Sequence, residues 1–128
     1  MGRTLLKVSD VMRAGGDLPL AHVRDAMADV ILVMTAKRLG CIGIVDDDGG
    51  LVGVITDGDL RRHMRADLLQ VPVDAVMTAS PKTVRPGQLA SEALQILNSS
   101  KITALMVVES GRPIGIVHFH DLLRAGVA

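Results

Sequence analysis

Two ten-residue stretches of this chain combine several polar and charged side chains, and each stretch begins at the end of an apolar run. The first, GVITDGDLRR at 53–62, places a hydroxyl, two carboxylates and two guanidinium groups within its last seven residues. The second, GIVHFHDLLR at 115–124, places two imidazoles, a carboxylate and a guanidinium group at similar spacing. Such groups can bind a phosphate, a carboxylate or a sugar hydroxyl. These two stretches are therefore the candidate functional segments.

In the first stretch, Thr56 and Asp57 stand where the apolar run gives way to a predicted helix. Either side chain can cap the free N–H groups at the start of that helix. The same N–H groups and the helix dipole can attract a phosphate or carboxylate, and Thr56 can donate to a phosphate. Asp59 can accept hydrogen bonds from two vicinal ribose hydroxyls. Two interpretations stay open: ordinary helix capping, or a site for a nucleotide or phosphosugar.

Arginine side chains follow the aspartates in both stretches. Arg61 and Arg62 follow Asp59, and Arg124 follows Asp121. They can form a solvated helix face or an Asp–Arg pair at helical spacing. Alternatively, at least one of them can contact the carboxylate or phosphate of a ligand.

The pair His118 and His120 has the spacing of a possible zinc-binding pair. On a strand, however, the two imidazoles would point to opposite faces. A helix beginning at Phe119 would change that geometry, but no third ligand is evident. We therefore expect no metal, and we expect one of the two imidazoles to contact an anion or a sugar.

No constellation in the sequence predicts catalysis. No Ser or Cys nucleophile stands beside a recognisable base, and no metal shell is complete. The single cysteine, Cys41, lies in the apolar run CIGIV and is predicted to be a buried core residue. One cysteine allows no disulfide within the chain, which is compatible with a reducing compartment.

Composition argues against nucleic acid and membrane as partners. The chain has 14 basic and 14 acidic residues, so it lacks the basic surface that phosphate backbones require. It has one Phe and no Trp or Tyr, so it lacks aromatic platforms for stacking bases. No apolar stretch approaches the ~20 residues of a spanning helix, and no signal peptide is visible. We expect a cytoplasmic protein.

The chain contains an internal repeat. VSDVM at 8–12 returns as VDAVM at 73–77, and IVDDDGGLVGVITDGDLRR at 44–62 returns as MVVESGRPIGIVHFHDLLR at 106–124. Asp59 therefore matches Asp121, Gly53 matches Gly115, and Met12 matches Met77. The repeat divides the chain into copies at 1–66 and 67–128.

Each copy reads as β-α-β-β-α, which predicts an α/β fold of the α+β type. We expect a short extended piece near 18–23 or 82–84, then a helix over about 24–38 or 86–100. A hairpin follows, with strands at 41–45 and 51–56 or at 104–108 and 113–118, and then a final helix near 58–65 or 120–125. The copies are expected to pack face to face with pseudo-twofold symmetry and equivalent clefts. Most methionines should fill the core, and Met12, Met34 and Met77 are candidates to face a ligand base.

These features resemble a tandem pair of CBS (cystathionine β-synthase) domains, a Bateman module. The family signature is Gly, two apolar residues, Thr or Ser, two variable residues and Asp. It stands intact at 53–59, whereas His118 replaces the hydroxyl residue at 115–121. The resemblance implies regulatory binding of a small ligand, often an adenosine nucleotide. Thr56 with Asp59 would form one half-site, and His118 with Asp121 the other.

In this family pattern the aspartate holds ribose and the hydroxyl approaches phosphate. An imidazole is not expected to take the geometry of the hydroxyl, and it can carry positive charge. The replacement at His118 therefore disfavours a plain adenylate at the second half-site.

A narrower resemblance links the strings GRTLLKVSDVM, TDGDLRR and HFHDLLRAGVA to the C-terminal regulatory half of bacterial D-arabinose 5-phosphate isomerases. It implies that the chain is an excised regulatory fragment without isomerase activity, with Met1 an added start. An N-terminal sugar-isomerase domain would complete the parent protein, which acts in the pathway to Kdo and lipopolysaccharide.

The resemblance also implies a regulatory ligand rather than a required cofactor. We favour CMP-Kdo, because it carries a ribose, a phosphate and a sugar carboxylate. Adenine nucleotides are the alternative, and a ligand-free structural oligomerisation module is a third interpretation. Exposed apolar helix faces would favour a flat homodimer of the pair. For the parent protein we expect a tetramer.

Overall fold

The structure is a computed structural model that describes residues 5–127, and these form two compact units. The continuous unit is Pro19–Pro81. The discontinuous unit combines residues 5–18 with residues 82–127. This division differs from the copies predicted at 1–66 and 67–128, because the segment leading into each copy pairs with strands of the other copy. The repeat limits stay a prediction about the sequence.

The elements alternate short helices with short strands. In chain order they are α1 (Val8–Val11), β1 (Leu20–His22), α2 (Met27–Lys37), β2 (Cys41–Val45), β3 (Leu51–Thr56), α3 (Asp57–Arg62), α4 (Val73–Val76), β4 (Thr78–Ala79), β5 (Thr83–Val84), α5 (Ala90–Ser100), β6 (Ala104–Glu109), β7 (Arg112–His118) and α6 (Phe119–Arg124). Single 3-10 turns lie at Gly15–Asp17 and Leu68–Gln70. This mixture confirms the predicted α/β class.

The continuous unit is built on a four-stranded sheet in the order β1-β2-β3-β4. Strands β1 and β2 are parallel, and the other two pairs are antiparallel. One face of the sheet packs against α2 and α4 through apolar side chains, among them Met27, Val30, Ile42, Ile44, Ile55, Val73 and Val76. Because β4 belongs to this sheet, Thr78 is held beside β3.

The discontinuous unit has a three-stranded sheet in the order β5-β6-β7. Main-chain hydrogen bonds join its N-terminal segment to β7, because the N–H of Arg13 donates to the carbonyl of Ile116 at 2.8 Å and the N–H of Ile116 donates to the carbonyl of Arg13 at 2.9 Å. Val8 also joins the core of this unit, which includes Val84, Leu97, Leu105, Val107, Val117 and Leu122. Residues 8–13 therefore take the place beside β7 that α4 and β4 take beside β3.

The two long helices are shorter than predicted. Helix α2 covers Met27–Lys37 instead of about 24–38, and α5 covers Ala90–Ser100 instead of 86–100. Before α5, Pro86 and Gly87 lie in a turn closed by a hydrogen bond from Gln88 to the carbonyl of Arg85. Both helices end on a left-handed residue, Arg38 or Lys101.

The repeated glycines of the signature are required by a close approach of neighbouring chain. A Cβ on Gly53 would lie 2.6 Å from Sδ of Met77 and 2.9 Å from the carbonyl oxygen of Thr78. A Cβ on Gly115 would lie 2.6 Å from Sδ of Met12. The glycines thus let the strands β3 and β7 accept their neighbouring segments, and Met12 and Met77 take a packing role there.

Cys41 is buried as predicted, and burial raises the pKa of its thiol to about 12, helped by the charges of Asp59 and Asp57. The thiol is therefore unreactive near neutral pH.

Within residues 5–127, no helix is both long enough and apolar enough to cross a membrane.

Candidate functional site

The first candidate site is the junction of β3 and α3. Thr56 is the N-cap of α3, and its Oγ1 accepts a hydrogen bond from the N–H of Asp59 at 3.2 Å. The Asp59 carboxylate returns the interaction, because its Oδ2 accepts from the N–H of Thr56 at 3.0 Å and from the Thr56 hydroxyl at 3.1 Å. This is a reciprocal capping box.

The other oxygen of the same carboxylate is also occupied. Oδ1 of Asp59 accepts from Nη2 of Arg62 at 2.5 Å and from the hydroxyl of Thr78 at 2.9 Å. Only 4% of the side chain is exposed. Burial alone would raise the pKa of Asp59, but the hydrogen bonds from Thr56, Arg62 and Thr78 together lower it.

We call Thr56, Asp59, Arg62 and Thr78 the Asp59 cluster. A carboxylate has about four acceptor positions, and here all four are used. A ligand ribose can therefore reach Asp59 only by replacing one of its present partners. Asp59 as a ribose contact stays a prediction, whereas the capping role is visible in the geometry.

The second candidate site is the matching junction of β7 and α6. Asp121 is held by a two-pronged ion pair: Nε of Arg13 donates to Oδ2 at 2.9 Å and Nη2 donates to Oδ1 at 3.0 Å. Arg124 adds a longer contact, 3.5 Å from Nη1 to Oδ1. The bond from Arg13 lowers the pKa of Asp121 and outweighs the opposing effect of burial.

His118 caps α6 in the place that Thr56 takes at α3. Its Nδ1 accepts a hydrogen bond from the N–H of His120 at 3.1 Å. An imidazole was not expected to stand in for the hydroxyl, but it does accept a helix N–H, one residue earlier than Thr56 does. Burial, and then the charge of His120, lower the pKa of His118. Because Nδ1 accepts the hydrogen bond from His120, the neutral ring carries its proton on Nε2.

We call Arg13, His118, His120, Asp121 and Arg124 the Asp121 cluster. Its two imidazole centroids are 4.8 Å apart, because α6 begins at Phe119 and the alternation of a strand does not apply. Within the part of the chain that the structure describes, no three His, Cys, Asp or Glu side chains are grouped to hold a metal ion.

The remaining predicted site residues lie apart from these two carboxylates. Asp57 is exposed at the start of α3, and Arg61 is exposed with no side-chain hydrogen bond or ion pair to residues 5–127.

Asp57 borders a cavity of about 240 Å³ that Met34, Arg38 and Gly40 also line. Met34 thus borders a cavity, whereas Met12 and Met77 pack on glycines.

Sequence reasoning missed Arg13 and Thr78 as members of the two clusters. Both follow the repeated Val-Met pair, so the repeat itself gave their equivalence. We call residues 5–18 and residues 73–79 the lead segments of the two copies. The repeat did not show that each lead segment belongs to the unit that contains the signature of the other copy. His63 was also missed; its Nδ1 lies 2.9 Å from the carbonyl oxygen of Asp59.

The chain is similar to known proteins over almost its whole length. The chain is 48% identical over 128 residues to "Arabinose 5-phosphate isomerase KdsD" of Pseudomonas aeruginosa, covering 98% of this chain and 39% of that protein. It thus spans about two fifths of the length of the curated relatives it matches.

Solved structures share the fold. The CBS domain pair of protein MJ0100, in complex with 5'-methylthioadenosine and S-adenosyl-L-methionine, superposes with a TM-score of 0.85 at 21% identity, covering 96% of this chain and 97% of that one. CBSX2 in complex with AMP gives a TM-score of 0.81 at 26% identity, covering 94% and 96%. The CBS domain pattern itself matches residues 8–66 and 73–128, which include both signature junctions. The chain therefore belongs to the CBS domain family and carries two CBS domains in tandem.

Proposed function

We propose that this chain is the regulatory, ligand-binding part of an arabinose 5-phosphate isomerase. One observation carries the proposal: a relative of that name is 48% identical over 98% of the chain. Since the chain covers 39% of that relative, the proposal places the sugar-isomerase domain in the remainder of the parent protein. The chain itself performs no catalytic step.

The proposed ligand is a nucleotide or nucleotide-sugar, and CMP-Kdo is favoured as the end product of the pathway. Each cluster, taken by itself, contains groups that suit part of such a ligand. The Asp59 cluster has hydroxyl groups and a carboxylate that a ligand reaches by replacing a present partner, and the Asp121 cluster has guanidinium and imidazole groups. CMP-Kdo presents ribose hydroxyls, a phosphate and a carboxylate to such groups. To regulate the enzyme it must bind one arrangement of the protein better than another.

A second candidate ligand is an adenine nucleotide. It is favoured by CBSX2, which is 26% identical over 94% of this chain and has been solved in complex with AMP. In that case the chain would report the energy state of the cell.

A third candidate is a purely structural role in oligomerisation. It is favoured by large apolar side chains that the continuous unit leaves exposed: Leu32 is 67%, Met64 70% and Leu69 52% exposed. A homodimer of the pair would cover such side chains.

A thermal-shift screen separates these candidates. The panel contains CMP-Kdo, CMP, AMP, ADP, ATP and arabinose 5-phosphate. A ligand at 100 times its Kd stabilises the folded state by about 2.7 kcal/mol, which gives a readable shift for a chain of this size. A shift with CMP-Kdo and little with adenylates supports regulation by the end product. A shift with adenylates alone supports the second candidate.

Two variants then separate binding from assembly. Asp59→Asn and Asp121→Asn are compared with the parent chain by thermal shift and by sedimentation. Loss of the ligand response with an unchanged sedimentation coefficient supports the binding role. No response of the parent chain to any ligand, with a change of oligomeric state in the variants, supports the structural role and overturns the binding role.

A further inference from the structure

A small cavity of the continuous unit is lined by residues outside the Asp59 cluster. It has a volume of about 240 Å³ and is formed by the last turns of α2, the residue before β2 and the first turn of α3. Pockets for drug-sized ligands have volumes of about 300–1,000 Å³, so this cavity suits a smaller molecule. We call it the α2–α3 cavity.

The lining of the α2–α3 cavity combines apolar side chains with two opposite charges. Ile31, Met34 and Leu60 supply the apolar part, and Arg38 and Asp57 supply the charges. Both charged side chains are exposed, and neither forms a hydrogen bond or ion pair with residues 5–127, including one with the other. The other charged side chains of α2 and α3 do not line the cavity; they are Asp29, Lys37, Asp59, Arg61 and Arg62. The cavity therefore has one unpaired cation and one unpaired anion, which suits a molecule that carries both charges.

Main-chain hydrogen bonds hold the backbone of both charged residues. The N–H of Arg38 donates to the carbonyl of Met34 at 3.0 Å, and the N–H of Asp57 donates to the carbonyl of Gly40 at 3.2 Å. A Cβ on Gly40 would lie 2.9 Å from Oδ2 of Asp57, so the glycine leaves room for this carboxylate. Because the two backbones are held, a ligand has to order only the two charged side chains, which reduces the entropy lost on binding.

The discontinuous unit gives an internal comparison. Phe119 is the counterpart of Asp57, because each follows the capping residue of its helix and donates its N–H to the carbonyl of the residue before the neighbouring strand. Phe119 packs against the apolar core, and Leu122, three residues later, is fully buried. Leu60, the counterpart of Leu122, is only partly buried. One unit thus has an apolar ring against its core, where the other has a carboxylate and a cavity.

We propose that the α2–α3 cavity binds a small zwitterion, an α-amino acid with an apolar side chain. The ammonium group pairs with the carboxylate of Asp57, and the carboxylate pairs with the guanidinium group of Arg38. The side chain contacts the apolar lining. This site goes beyond the proposed function, because none of its residues belongs to either cluster and its ligand is of another class.

Three probes with the same hydrocarbon group test the proposal. L-leucine carries both charges, 3-methylbutylamine lacks the carboxylate, and 4-methylpentanoate lacks the ammonium group. Each is titrated into the 128-residue chain, and binding is followed by NMR of the backbone amides and of the methyl groups of Ile31, Met34 and Leu60. We expect leucine to bind severalfold more tightly than either singly charged probe, with the largest shifts at those methyl groups and at the amide of Gly40.

Two variants assign the two charges. Asp57→Asn should weaken the binding of leucine and 3-methylbutylamine about fivefold, and 4-methylpentanoate should bind no more weakly than before. Arg38→Gln should weaken leucine and 4-methylpentanoate by a similar factor, and 3-methylbutylamine should bind no more weakly than before. Misfolding would weaken all three probes in both variants, so it cannot produce this crossed pattern.

Each variant has a matched control. Asp48→Asn removes an exposed carboxylate from the turn between β2 and β3, and Lys101→Gln removes the charge at the left-handed residue that ends α5, the counterpart of Arg38. Either control should change leucine binding by less than about twofold. A third variant, Asp57→Phe, copies Phe119 and should abolish binding of all three probes.

Several results would overturn the site. These are equal binding of the three probes, equal losses of leucine binding in Arg38→Gln and Lys101→Gln, or shifts centred outside the cavity. Signals of the cavity residues that change with protein concentration alone, and do not change further with leucine, would assign the cavity to contact with a second copy of the chain. That outcome would also overturn the ligand site.

Discussion

At the scale of single residues, Asp59 is the charged side chain most enclosed by the described part of the chain. Replacing it with Asn keeps its shape but turns one acceptor oxygen into a donor, so either Thr56 or the pair Arg62 and Thr78 loses its acceptor. We expect Asp59→Asn to lower the free energy of unfolding by about 2–4 kcal/mol, measured by urea denaturation at pH 7. Asp57→Asn, at an exposed position two residues earlier, is the control and should change it by less than about 0.5 kcal/mol.

The lowered pKa of Asp59 predicts how the stability of the fold changes in acid. Its pKa is lower in the folded chain than its ordinary value of 3.8, so it stabilises the fold above pH 3.8 and loses that contribution as the pH falls toward the lowered value. The difference between the parent chain and Asp59→Asn should therefore shrink between pH 5 and pH 3. A difference that stays constant over this range would contradict an ionised Asp59 as the source of the effect.

His118 makes a prediction nearer neutral pH. Its pKa is lowered by burial from the ordinary 6.5, so the unfolded chain takes up its proton first and stability falls as the pH drops below 6.5. His118→Thr keeps a cap but does not titrate. Between pH 7.5 and 5.5 the parent chain should lose more unfolding free energy than this variant. The control Thr56→Ser changes the other cap and should keep the parental pH dependence.

At the scale of elements, the signature glycines set how closely a neighbouring segment can lie. At Gly53 a new Cβ would meet both Sδ of Met77 and the backbone carbonyl of Thr78, and the carbonyl cannot move without disturbing the pairing of β3 with β4. We expect Gly53→Ala to cost about 1–3 kcal/mol in urea denaturation. Gly87→Ala, which has nothing within 4 Å of its Cβ, should be neutral. Full rescue of Gly53→Ala by Met77→Ala would show that only the sulfur matters.

The sequence predicted the elements far better than the partners of the clusters. Apolar runs and turn residues predicted both hairpins correctly, and the repeat predicted that Asp59 and Asp121 lie at equivalent positions near the start of a helix. The Arg13–Asp121 pair spans 108 positions, so no local pattern could reveal it. The Asp59 carboxylate also looked free for a ligand because the sequence could not show that Thr78, 19 residues later, lies against it. Long-range pairing decided which side chains surround each aspartate.

At the scale of the whole molecule, the lead segments are what make each unit complete. In the discontinuous unit, residues 5–18 supply the fully buried Val8, the main-chain bonds of Arg13 to Ile116, and the ion pair to Asp121. In the continuous unit, the corresponding parts are α4 and β4, which come from the second copy of the repeat. A cut between the copies at residue 66 would thus remove structure from both units.

This arrangement predicts an effect of truncation at a distance in sequence. Deleting residues 1–18 removes the segment beside β7, so we expect hydrogen exchange to accelerate most in β6, β7 and α6, which lie 85 to 105 residues from the new terminus at residue 19. Amides of β2 and β3 should stay closer to their parental protection, although they are nearer in sequence. Exchange measured by mass spectrometry on the truncated and parent chains makes this comparison directly. Greater loss of protection in 41–56 than in 104–124 would contradict it, because the lead segment would then support the copy in which it lies.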